Sequence, residues 1–140
     1  MQITIETNIT APLDAVWQAW NTPADIMQWN AASDDWHTTD ASVDLRPGGT
    51  FSSRMEARDG SAGFDFTGEY TRVKLMELIE YALDDGRLVR VEFLPMDDTV
   101  TVRETFEAES SNEAEMQRRG WQAILDNFAC YVEGGSARSR

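Results

Sequence analysis

Along the first ten residues Ile3, Ile5 and Ile9 fall on one parity, the period-two pattern of a strand with one buried face. Pro12 suits the first turn of a helix, and Leu13, Val16, Trp17 and Trp20 follow at helical spacing. Thr22-Pro23 reads as a cap and a second helix start, predicting a short helix to about Trp29 with Asp25 near its positive end. From Asn30 to Ser42 the chain is polar around Trp36, which predicts a loop with room for one short strand near Trp36 or Val43.

After the turn composition Arg46-Pro47-Gly48-Gly49 the period is two again. Phe51, Ser53, Met55 and Ala57 alternate with polar neighbours up to Asp59-Gly60, and Phe64, Phe66, Gly68 and Tyr70 share the next parity. Ile79, Tyr81 and Leu83 run to Asp84-Asp85-Gly86, Val89, Val91 and Phe93 to Pro95, and Val100, Val102 and Phe106 close the series. Strands this closely spaced predict an antiparallel meander with one apolar face. Met116, Trp121, Ile124, Leu125, Phe128 and Val132 then recur at helical spacing between an Asn112-x-x-Glu115 capping pattern and Gly134-Gly135. A helix of that length, about 30 Å, can lie across the whole concave face of a sheet.

This order predicts an α+β fold: a curved antiparallel sheet of about six or seven strands wrapped around one long C-terminal helix, with two short helices after the first strand. One domain is expected over residues 1–135, with 136–140 a flexible tail. A single helix about 10 Å wide does not fill a wide concave surface, so an internal cavity is expected beneath it.

The residues also carry a family resemblance. Ile9-x-Ala11-Pro12-x-x-x-Val16-Trp17-x-Ala19-Trp20, Asp44-Leu45-Arg46-Pro47-Gly48-Gly49, Met55-x-x-Arg58-Asp59-Gly60, Phe66-x-Gly68-x-Tyr70 and Glu115-Met116-Gln117-x-x-Gly120-Trp121-x-x-x-Leu125-x-x-Phe128 together resemble the bacterial heat-shock protein 90 ATPase activator-like family. The likeness spans residues 3–133, and Trp29-Asn30 departs from it where many relatives have a tryptophan pair. It implies the helix-grip fold of the START/Bet v 1-like (SRPBCC) superfamily, which includes lipid carriers, hormone receptors and polyketide cyclases. It also raises contact with a chaperone as one class of partner.

Composition narrows the partners. Twenty-five acidic against twelve basic residues leave a formal charge of −13, which repels a phosphate backbone and an anionic bilayer. Nucleic acid and membrane insertion are therefore not expected. One cysteine and one histidine cannot build a disulfide or a Cys/His zinc site within the chain, and neither a metal nor a cofactor is called for. No apolar run approaches a membrane span and no signal pattern opens the chain, so the expected location is cytoplasmic. Monomer and homodimer both remain open.

Glu104 breaks the pattern, because it shares the inward parity of Val100, Val102 and Phe106. A buried carboxyl must be paired or take up a proton. Its functional reading is a polar anchor for a ligand, and its structural reading is a strand-end carboxylate exposed by a bulge. Tyr70 and Tyr81 lie on inward parities and bring hydroxyls that orient a ligand or serve the core. Phe51, Met55, Phe64, Phe66, Phe93 and Phe106, with Trp121, Leu125 and Phe128 from the long helix, are the expected apolar lining. As single residues they read first as core.

His37 reads as a solvated loop histidine and Cys130 as a bystander thiol off the helical stripe. Asp34-Asp35, Asp84-Asp85 and Asp97-Asp98 fall in predicted turns at spacings that match no calcium loop. No catalytic residue is assigned. The leading expectation is a binding protein for a small, largely apolar molecule, lipid or aromatic. Behind it stand a cyclase- or hydrolase-type enzyme using the same cavity and an interaction module with an exposed apolar patch around Trp29 and Trp36.

Overall fold

Alternation along the chain becomes one sheet in the computed structural model, which describes residues 1–134. The elements run β1 (Gln2–Ile9), α1 (Leu13–Asn21), α2 (Pro23–Trp29), β2 (Trp36–Val43), β3 (Thr50–Ala57), β4 (Gly63–Lys74), β5 (Leu78–Leu83), β6 (Leu88–Pro95), β7 (Val100–Glu107) and α3 (Ala114–Val132). The strands form a seven-stranded antiparallel sheet in the order β1-β7-β6-β5-β4-β3-β2. It curls around α3, with α1 and α2 following the first strand, so the molecule is an α+β helix-grip. The tail expected over 136–140 lies outside the described residues.

Facing partners across an antiparallel pair share a side of the sheet, so the register reads out the inner face row by row. Ile5, Glu104, Val91, Ile79 and Val73 make one row across five strands, and Ile3, Phe106, Val89, Tyr81 and Tyr70 make the next. A third joins Leu83, Gly68, Phe51 and Val43.

Polar residues 36–43 form one full strand where a loop with a short strand near Trp36 or Val43 was expected. The register shifts between Thr38 and Asp40, so an extra residue moves the inward positions from the even side, where Thr38 is buried, to Ala41 and Val43. A second shift between Tyr70 and Arg72 likewise carries the inner face of β4 from Tyr70 to Val73. The caps also differ from expectation. Thr22 opens α2 without a side-chain cap, its hydroxyl donating instead to the Gln18 carbonyl at 2.7 Å. The N-cap of α3 is Glu113, and the Asn112 amide is turned to the Glu109 carboxylate, so no capping box forms.

The core centres on tryptophans. Trp20 stacks on Trp29 at 5.0 Å between ring centres, and Phe128 meets both edge-on. Trp17 packs edge-on against Phe93. Trp29 Nε1 donates to the Ala19 carbonyl at 3.0 Å, and the Asn127 amide donates to the carbonyls of Trp29 and Ala31, both at 3.1 Å. These bonds tie α2 to α1 and α3. Tyr131 adds a hydrogen bond to Asp25, and that bond holds the phenol proton so that its pKa is pushed up to about 12. No helix of the described residues is long and apolar enough to cross a membrane.

Candidate functional site

The helix does not lie centrally on the sheet. It approaches most closely along the edge strand β1, where Arg118 Nη1 donates to the Thr4 carbonyl at 3.0 Å and Gln122 Nε2 to the Glu6 carbonyl at 3.2 Å. Two helix side chains thus cover edge carbonyls that no strand pairs. Over β3, β4 and β5 the same helix stands off, and the space left is a cavity of about 420 Å³.

Aromatic side chains dominate its wall. Phe51 stands 4.8 Å from Tyr81, 5.4 Å from Tyr70 and 5.8 Å from Phe66, measured between ring centres. Trp121 reaches down from α3, stacked on Phe106 at 4.0 Å with the rings nearly parallel. Gly68 makes room for this cluster, because a Cβ there would come within 2.7 Å of the Phe51 ring and 2.8 Å of the Ala82 carbonyl oxygen. Phe64 and Met116, both substantially exposed, mark the mouth.

Glu104 is part of the wall and only 5% exposed. Its strand neighbours Ile5 and Val91 offer no polar group, and no hydrogen bond or ion pair to its carboxyl is found among the described residues. Burial alone pushes its pKa up to about 8, so at neutral pH it is mostly a protonated acid, able to donate one hydrogen bond. Tyr81 is raised well above the ordinary phenol value, chiefly by burial and then by Glu104 and Tyr70. Tyr70 is raised in the same way, with Asp44 adding to the effect. Both phenols stay neutral under ordinary conditions.

The rim is held by one side chain. Gln117 is buried, its Oε1 accepting from the Glu109 backbone N–H at 2.9 Å and its Nε2 donating to the carbonyls of Glu109 and Asn112 at 3.1 and 2.9 Å. A single amide therefore fastens the 108–113 loop to the first turns of α3. Arg87, the only cationic side chain on the wall among the described residues, is held by Asp85 at 2.8 Å and the Glu107 carbonyl at 3.4 Å.

Of the positions singled out in the sequence, the cavity brings together Glu104, Tyr70, Tyr81, Phe51, Phe64, Phe66 and Trp121. Met55, Phe93, Phe106, Leu125 and Phe128 do not line it, which corrects the expectation that they would. Phe93 lies under Trp17 and Trp20, Phe106 is covered by Trp121, and Phe128 and Leu125 are fully buried in the core. Met55 is buried among the β2–β4 strands, paired with Thr38 and Phe64. Inward parity marks a side of the sheet but not depth beneath the helix.

Wall residues outside the expected lining include Trp20, Trp29, Asn30, Gln117 and Ser53, the last already on the inward parity of Phe51. Asn30, at the C-terminal cap of α2, is among the lining residues. His37 pairs with Glu56 on the outer parity of β2 and is not part of the cavity. Of the two tryptophans on which an exposed interaction patch would rest, Trp29 is buried and Trp36 is half-buried, 5.8 Å from the exposed Phe64 ring. Among the described residues no cluster of His, Cys, Asp and Glu is placed to hold a metal.

Comparison with known proteins gives a consistent picture. A family model described as activator of Hsp90 ATPase homolog 1-like protein matches residues 10–133. The solution NMR structure of an AHSA1-like protein from Aeromonas hydrophila is 53% identical, covering 95% of this chain and 92% of that one at a TM-score of 0.90. A solution structure from Cytophaga hutchinsonii is 48% identical, covering 94% and 92% at a TM-score of 0.83. A crystal structure from Chromobacterium violaceum shares the fold at 21% identity, covering 96% and 99% at a TM-score of 0.85. No curated protein matches the chain.

Proposed function

Since the chain belongs to the activator of Hsp90 ATPase homolog 1-like family, within the SRPBCC superfamily, we propose that it binds a small, largely apolar molecule in the cavity between its sheet and α3. The observation that carries this reading is the wall itself: about 420 Å³ of space lined by Trp20, Phe51, Phe66 and Trp121, onto which opens the carboxyl of the almost fully buried Glu104, met by no hydrogen-bond partner among the described residues. Such a volume suits a molecule of drug-like size, and apolar walls with a few placed polar groups are the usual chemistry of such sites. Glu104, Tyr70 and Tyr81 would orient the ligand. An enzymatic reading would need a second acid or base beside Glu104; the phenols Tyr70 and Tyr81 are raised far above neutrality, and the wall's other carboxylate, Glu109, accepts a hydrogen bond from the Asn112 amide. A lone thiol, Cys130, fits a reducing, cytoplasmic setting.

The test is a titration with the neutral fluorophore N-phenyl-1-naphthylamine. Saturable one-to-one enhancement is expected for the natural chain and at least tenfold weaker binding for Ser53→Trp, which fills the cavity from β3. Ser53→Leu is the milder variant should the larger side chain prevent folding. No enhancement in the natural chain, or equal binding by folded variants, would overturn the reading. Native mass spectrometry of protein purified from its own cells would then look for the bound molecule itself.

A further inference from the structure

We infer that the molecule this cavity takes is a lipophilic amine, an apolar body carrying one positive charge, with the charge seated against the Glu104 carboxyl and the surrounding aromatic faces. The inference rests on the binding reading above and narrows it to a ligand class.

Four observations point the same way. Glu104 is a wall residue, almost fully buried, in a row otherwise made of Ile5, Val91, Ile79 and Val73. Among the described residues no donor or cation meets it, so a ligand's N–H groups and charge would supply what these residues leave out. The wall's one cation among the described residues and two of its amides are engaged elsewhere. Arg87 serves Asp85 and the Glu107 carbonyl, Gln117 serves the 108–113 loop, and the Asn112 amide serves Glu109. The remaining wall is rich in aromatic rings, among them Trp20, Phe51, Tyr81 and Trp121, and an aromatic ring carries a negative quadrupole that attracts a cation. Finally, the −13 charge concentrates cations around the molecule and repels organic anions.

The charge balance follows from the groups around Glu104. β1 and β6 present Ile5 and Val91, which do not titrate, β5 and β4 present the neutral phenols Tyr81 and Tyr70, and α3 presents Trp121 and Gln117. Arg87 and Glu109 are the other charged groups on the wall. Without ligand at pH 7 the Glu104 carboxyl carries its proton, and an ammonium ion seated beside it favours the carboxylate. Binding therefore releases that proton to solvent and leaves an ion pair, with no covalent bond made or broken.

Three probes of one shape provide the test: 1-naphthylmethylamine, a cation at pH 7; 1-naphthylmethanol, neutral; and 1-naphthoate, an anion. Calorimetric titration in two buffers of different ionisation enthalpy reads affinity and proton exchange together. The amine is expected to bind at least tenfold tighter than the alcohol, the acid most weakly, and close to one proton should leave per amine bound. Glu104→Gln should collapse the amine-to-alcohol ratio toward one and abolish the proton release. The proton count on the natural chain stands even if that variant fails to fold. Alcohol binding as tight as amine binding, naphthoate binding tighter, or amine binding without proton release would overturn the amine assignment while leaving the cavity reading intact. Absence of binding by all three would overturn both.

Discussion

Glu104 has Ile5 on one side and Val91 on the other, and its isolation has a thermodynamic signature. Its folded pKa of about 8 lies above the unfolded value of about 4.3, so across that window the folded state keeps a proton that the unfolded state has lost. The contribution is fully present below the unfolded value and is lost as pH rises through the folded one. The stability at stake is on the order of several kcal/mol. Glu104→Gln, neutral and of equal shape, should therefore gain stability relative to the natural chain as pH rises from 5 to 9, read from urea midpoints. A difference that stays flat over that range would mean the carboxyl is solvated in the folded state. The same residue shows what one position can reveal in sequence. A carboxyl on the parity of Val100, Val102 and Phe106 is visible without coordinates, whereas the absence of any partner for it is visible only once its neighbours are placed.

Elements were legible where their pattern is unbroken, and the exceptions have local causes. β1 and β3 to β7 follow from alternation, and α3 from its apolar stripe. β2 was legible only as a short strand near Trp36 or Val43, because the extra residue near Thr39 changes the inward parity midway and no single alternation runs through residues 36–43. The turn into β5 was hidden because Met76 holds the left-handed conformation, φ 65°, at a position where sequence reading looks for glycine or asparagine. At the start of α3 the Asn112-x-x-Glu115 spacing suggested a box, but the fastening is done by Gln117, whose amide spans the loop before the helix. Gln117→Leu removes three hydrogen bonds and leaves two carbonyls and one N–H to find water. A loss of about 1–3 kcal/mol is expected, with faster amide exchange at Glu109 and an unchanged core. If exchange at Glu109 stays slow in this variant, the loop is held by something other than that amide.

For the molecule as a whole, the order of elements carried the architecture, because a meander followed by one long apolar helix has few ways to bury both faces. The cavity wall was legible only in part. Seven of the anticipated side chains share it, yet Phe93 and Phe106 on the sheet are sealed off, Phe93 by Trp17 and Trp20 from α1 and Phe106 by Trp121 from α3, whose placement along β1 decides where space remains beneath it. That placement depends on Arg118 and Gln122 reaching the Thr4 and Glu6 carbonyls, contacts more than a hundred residues apart in the chain. The β1–β7 pairing also orders events in time. Gln2 pairs with Glu107 and Ile9 with Val100, so the first strand synthesised must wait for the last. At ribosomal rates of about 5–20 residues per second, Ile3, Ile5 and Ile9 remain without their partners for on the order of 5–20 s. Proteolysis of stalled nascent chains should therefore cut β1 until residue 107 has cleared the exit tunnel, and earlier protection would reveal a different first partner. Because α3 follows β7, every strand of the trough leaves the ribosome before the helix that roofs it, so a molecule that the cavity accepts would meet an open sheet before a closed chamber.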